Sequence, residues 1–190
     1  MWASQANKLG RGRRLPIKLV IQAAYGFTPH TRIILPNELP EGSYDFIASL
    51  PDGNAEALQR EVKRKFGVIA KRETLETNVL FLTVQFPKAP GLKPNVNRGG
   101  EVSLGPGKYT CVNIPLSELV GYLENYFEIP VVNRTGLTGS FDFDLKWNEQ
   151  HDEHGQLRPE PLKRALLDQL GLELVPSREP VEMLVVEKVK

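Results

Sequence analysis

The sequence predicts an α+β fold: two duplicated half-domains, each with two helices packed on a small, mostly antiparallel sheet. Three observations lead there. Apolar residues recur with the helical period of 3.6 in some segments and with the strand period of two in others. The order of these segments in residues 1–88 returns in residues 101–190. Between them, residues 89–100 are rich in proline and glycine, from Ala89-Pro90-Gly91 through Pro94 to Gly99-Gly100. They read as a linker, because proline lacks the backbone donor that a sheet or helix uses.

In the first half, Ile17, Val20, Ile21 and Ala24 lie at helical spacing behind Pro16, which suits a first helical turn. Residues 32–35 and 44–48 read as strands. Residues 54–66 read as a helix with Asn54 as N-cap, Leu58, Val62 and Phe66 as the apolar stripe, and Gly67 as terminator. Two strands follow, 68–72 and 78–86, with a turn ending at Thr77-Asn78.

In the second half, residues 108–113 read as a strand. Residues 115–127 form a helix with Leu116, Leu119, Val120 and Leu123 on one face, and 130–132 a short strand. From 141 to 147 the alternation is strict: Phe141, Phe143, Leu145 and Trp147 face one way, Asp142, Asp144 and Lys146 the other. Residues 148–161 are polar apart from Leu157 and read as an exposed loop. A helix at 161–170, stopped by Gly171, leads into a hairpin of 172–175 and 181–189. The halves align Pro16 with Pro115, Tyr44-Asp45-Phe46 with Phe141-Asp142-Phe143, the stripe Leu58, Val62, Phe66, Gly67 with Leu162, Leu166, Leu170, Gly171, and Val79 with Val181.

Composition narrows the function classes. With 24 Lys and Arg against 23 Asp and Glu, the formal net charge is +1. No global field draws the chain to nucleic acid or to an anionic membrane. No apolar run reaches the ~18 residues of a spanning helix, so no direct membrane insertion is expected. The single Cys111 forms no internal disulfide. Met1-Trp2-Ala3-Ser4-Gln5 lacks the apolar core of a signal peptide.

No catalytic, cofactor or metal residue is assigned from the sequence. His151-Asp152-Glu153-His154 brings together residue types of a transition-metal site. Its spacing in a polar loop fixes no ligand geometry, so a solvated loop is the expectation and a metal-dependent hydrolase the alternative. Asp142 and Asp144 share a strand face, where close carboxylates can split acid and base roles. A wet sheet face with Lys146 beside it is expected instead. Arg60, Lys63, Arg64, Lys65, Lys71 and Arg72 form the densest basic region, with Lys8, Arg11, Arg13 and Arg14 a second. Weak nucleic-acid binding through residues 60–72 is a further alternative. No aromatic residues interleave there as a stacking platform would require, so a solvated face is expected. Cys111 reads as a buried, inert thiol. The segment Thr135-Gly136-Leu137-Thr138-Gly139-Ser140 lacks a P-loop lysine and precedes a strand, so it reads as a turn.

Several stretches are similar to a known family. Val131-Val132-Asn133-Arg134-Thr135-Gly136-Leu137-Thr138-Gly139-Ser140-Phe141-Asp142-Phe143, with Leu145 and Trp147, is the most specific. Asp168-Gln169-Leu170-Gly171-Leu172-Glu173-Leu174 and Pro180-Val181-Glu182 follow, then Ala24-Tyr25-Gly26, Arg72-Glu73-Thr74 and Ile114-Pro115-Leu116-Ser117-Glu118-Leu119. Together they resemble the Solibacter-type family of exported bacterial proteins, a domain of unknown function expanded in Acidobacteria. Members often carry Asp at the place of Asn133, Trp at Glu38, and His at Lys71 and Lys188. The exchanged positions are mostly the polar ones, which speaks against acid–base work there. The resemblance implies export and brings no established activity. A looser likeness of pattern, over residues 161–189, is to the small modules at the front of secretins and TonB-dependent receptors, which bind partner proteins.

The expectation is therefore a non-enzymatic, extracytoplasmic protein-interaction module without cofactors. Its partner would be an unknown protein, met at exposed sheet edges or at the loop Thr135, Gly136, Leu137, Thr138 and Gly139.

Overall fold

The computed structural model describes residues 10–28, 31–48, 52–86, 91–97 and 99–189. Along the chain these form β1 (Gly10–Pro16), α1 (Ile17–Tyr25), β2 (Ile33–Ile34), β3 (Ser43–Ala48), α2 (Asn54–Phe66), β4 (Val68–Val84) and β5 (Lys93–Asn95). Then come β6 (Glu101–Gly105), β7 (Lys108–Pro115), α3 (Leu116–Phe127), β8 (Val131–Asn133), β9 (Ser140–Lys146), α4 (Glu160–Leu170) and β10 (Leu172–Lys188). The α+β class is as expected.

The chain packs as two compact units, Met1–Glu76 with Pro180–Lys190, and Thr77–Glu179. Both long strands, β4 and β10, supply residues to each. Residues 93–95, expected in a linker, lie within the second unit as β5. Pro94 is accommodated there because β5 ends its sheet, and an edge position can do without one donor. The expected linker residues 89, 90 and 98 lie outside the described residues, as do Lys8 and the start of the chain.

In the first unit, β1 and β3 pair antiparallel, with a bulge between Gly12 and Leu15. Pro16, extended at φ −61°, closes the strand and opens α1. Ile17, Val20, Ile21 and Ala24 of α1 are buried with Phe27, Val62 of α2, Val68 of β4 and Leu184 and Val186 of β10. β2 lies parallel to β10, with Ile33 opposite Leu184. The N-cap of α2 is Gly53, in place of the expected Asn54. Gly67 ends the helix in the left-handed region, as a terminator should.

In the second unit, β5-β9-β7-β6 form an antiparallel sheet, and β7 bulges between Cys111 and Ile114. Pro115 closes β7 and opens α3. β8 lies parallel to β4, with Leu80 opposite Val131. Leu116, Leu119 and Leu123 of α3 and Leu162, Leu166 and Leu170 of α4 are buried against Tyr109, Cys111, Phe143 and Leu145 of the sheet. Each fully buried leucine of this kind stabilises the fold by roughly 1.5–3 kcal/mol.

Two expected hairpins are absent. Residues 68–84 form one strand and so do 172–188. Neither Thr77-Asn78 nor Pro176-Ser177 contains the glycine that a tight hairpin turn favours, so extended backbone continues. Residues 74, 76 and 78 of β4 and 175, 176, 178 and 180 of β10 are exposed, which is why their composition reads as loop.

Candidate functional site

β6 is the last strand of its sheet, and among the described residues nothing pairs with its outer side. Gly105 and Lys108 face each other across the two-residue turn Pro106-Gly107. Gly107 sits at φ +62°, and a Cβ there would collide with the Trp147 carbonyl oxygen, so this turn requires glycine. In a two-residue hairpin the closing pair is hydrogen-bonded, and bonding alternates from there. Glu101, Ser103 and Gly105 therefore bond inward to β7, and Val102 and Leu104 direct their N–H and C=O outward.

All five residues of β6 are exposed. Val102 pairs with Cys111 and Leu104 with Tyr109, so both apolar side chains lie on the helix-facing side of the sheet. They extend that apolar layer past its cover and stay 42% and 61% exposed. Tyr109 stacks on Tyr122 of α3 at 4.5 Å and meets Phe143 edge-on. Burial pushes the Tyr122 hydroxyl up to about 12. The strip is thus apolar, backed by packed aromatic rings and uncharged between Glu101 and Lys108.

Other edges are protected in familiar ways. β2 has two residues, β8 three, and β5 three with a proline. β1 carries a bulge and arginines, and β3 carries Asp45 mid-strand. β6 contains no proline, lysine or bulge.

The loop Thr135–Gly139 joins β8 to β9. Asn133 Oδ1 accepts from the Thr135 N–H at 3.0 Å and its hydroxyl at 2.7 Å, and the Leu137 N–H donates to Thr135 Oγ1 at 3.1 Å. Gly136 and Gly139 take φ of +69° and +89°. Leu137 packs on the core, and Arg134 pairs with Glu179 beside the Phe81 ring. This is a self-satisfied turn that shows Gly136, Thr138 and Gly139 to solvent.

Asp142 and Asp144 lie on the outer sheet face, at a shallow depression of about 330 Å³ also lined by Lys93 and Thr110. Asp142 Oδ1 accepts from Asn95 Nδ2 and from the Asn113 N–H, each at 2.7 Å. Asp144 accepts from Thr110 Oγ1 at 2.7 Å and pairs with Lys146 at 2.6 Å. The Asn95 amide and Asn113 N–H hold Asp142 below the ordinary carboxylate range; Lys146 and Thr110 do the same for Asp144. Both are kept ionised, and neither is raised toward the role of an acid.

The other sequence candidates are separated. His151 bridges to Leu157, while Asp152 Oδ1 caps the N–H groups of His154 and Gln156 at 2.8 Å. Among the described residues no group of three or more His, Cys, Asp or Glu is placed to hold a metal. In the basic region, Arg64 pairs with Glu61, Lys71 with Glu73 and Glu187, and Arg72 with Glu182. Lys65 lies over the Tyr44 and Phe66 rings. Cys111 is buried, and burial raises its thiol pKa. Among the described residues no helix is long and apolar enough to cross a membrane.

The fold defines an α+β protein of two compact units, with an unpaired sheet edge among the described residues. The chain belongs to the family described as protein of unknown function DUF3738, whose model matches residues 18–189. No curated protein and no solved structure matches the chain.

Proposed function

We propose that the chain is a non-enzymatic, extracytoplasmic protein-interaction module, and that it receives a partner by strand addition along β6. The observation that carries this reading is the outward-directed backbone of Val102 and Leu104, beside two exposed apolar side chains on a packed aromatic backing. Main-chain bonds would supply affinity and the apolar strip would supply selection of alternate side chains. The loop Thr135 to Gly139 is the second contact surface. Extracytoplasmic placement rests on the family likeness given by residues 131–143.

The two units are read as copies of one plan, β-α-β-β-α-β. Supporting this are the paired bulges of β1 and β7, the prolines that end them, and the parallel contacts of β2 and β8. The looser likeness of residues 161–189 to secretin-type modules, which bind partner proteins, is in keeping with this reading.

The test is capture from the host envelope by wild-type chain and by Leu104→Lys, both confirmed folded by circular dichroism. A protein retained by wild type and lost with Leu104→Lys supports the reading. Equal retention by both removes β6 as the contact surface.

A further inference from the structure

We infer that the strand received by β6 is β6 of a second copy of this chain, in an antiparallel two-fold pair centred on Ser103. The inference rests on the strand-addition reading and names its occupant.

The sequence of β6 is self-complementary in this register. With Ser103 facing Ser103 of the second copy, Val102 falls opposite Leu104, and Glu101 opposite Gly105. The bonding alternation set by the Pro106-Gly107 turn makes each Val102–Leu104 pair hydrogen-bonded, which gives four backbone bonds across the axis. Val102 and Leu104 lie on one face, so the two copies cover each other's exposed apolar side chains.

Charge points the same way. Gly105 pairs with Lys108 on β7, so Lys108 and the Glu101 of the second copy lie on the same sheet face, on either side of a residue with no side chain. They can meet over Gly105, whose Cβ position has open space around it. Among the described residues Lys108 has only Asp144, at 3.9 Å, and Asp144 has Lys146 at 2.6 Å, so the Lys108 side chain can turn. No like charges oppose each other in this register. A parallel pairing would set Glu101 beside Glu101. Two five-residue strands bury less than the ~1,200 Å² of a stable interface, so the pair is a weak one.

The experiment has two arms. Ser103→Cys is oxidised at high concentration, with Ser117→Cys as an exposed control; the buried Cys111 does not compete. Sedimentation is then run on Lys108→Glu, Glu101→Lys and the double reversal. Expected are a cross-linked dimer for Ser103→Cys alone, and at least threefold weaker association for each single reversal, regained in the double variant. No selective cross-link, or a double reversal no better than the singles, overturns the two-fold pair. If that happens while Leu104→Lys still abolishes capture of another protein, strand addition stands and only the second copy is wrong. If the Leu104→Lys capture difference is also absent, both fail.

Discussion

Asp142 Oδ1 accepts the backbone N–H of Asn113 at 2.7 Å, and Asn113 is held at φ +51° in the bulge of β7. Asp45 and Arg14 repeat this contact in the other unit: the Arg14 N–H donates to Asp45 Oδ1 at 2.6 Å, with Arg14 at φ +49°. A bulge leaves one residue unpaired in the ladder, and a carboxylate on the neighbouring strand satisfies it. Asp142 and Asp45 serve the backbone. Asp144, two residues on along the same strand face, is held instead by the Thr110 hydroxyl and Lys146, so the pair that suggests acid–base chemistry in the sequence splits into a backbone cap and a surface ion pair.

This sets the pH dependence. Asp142 and Asp144 have folded pKa values below their ordinary value, so the unfolded chain binds their protons more readily. Their contribution to stability is present above the unfolded pKa and is lost as pH falls through the folded value. Asp142→Asn and Asp144→Asn are expected to flatten the fall in urea midpoint between about pH 5 and pH 2. An unchanged acid limb in both variants contradicts this account.

Helix termination offers a stabilising change. α1, α2 and α4 end on Gly26, Gly67 and Gly171, all at positive φ, whereas α3 ends on Glu128 at φ +54°. A side chain in that region costs about 1 kcal/mol. Glu128→Gly is expected to raise stability by about 1 kcal/mol, read as a higher denaturant midpoint at constant m-value.

The second unit's core should be unforgiving. Leu166 is fully buried between α4 and the sheet residues. Leu166→Ala is expected to lose about 2–5 kcal/mol by chemical denaturation. Leu104→Lys, on an exposed edge, is expected to change stability by no more than about 0.5 kcal/mol.

The helices were legible because two signals agreed in each: an apolar stripe and a boundary residue, a proline just before α1 and α3 and a glycine just after α2 and α4. Residues 54–66 are helical as expected, and the strict alternation of Phe141, Phe143, Leu145 and Trp147 puts all four in the core. The strands β1 and β6 were missed, since β1 is Gly-Arg-Gly-Arg-Arg and β6 has no buried residue to set a period. The middles of β4 and β10 lack a buried face in the same way. The residues of the Thr135–Gly139 turn were visible in the sequence. The β6 edge was not, because being an edge is a property of pairing order, and only the sheet order β5-β9-β7-β6 reveals it.

The central claim is that β6 presents an unfilled hydrogen-bonding edge, and amide hydrogen exchange on dilute protein, resolved residue by residue, tests it most directly. The account predicts fast exchange at Val102 and Leu104 and slow exchange at Ser103, whose bonds run inward to Thr110. Val102 and Leu104 as slow as Ser103 would mean that the edge is already covered in the single chain, and strand addition there would be ruled out.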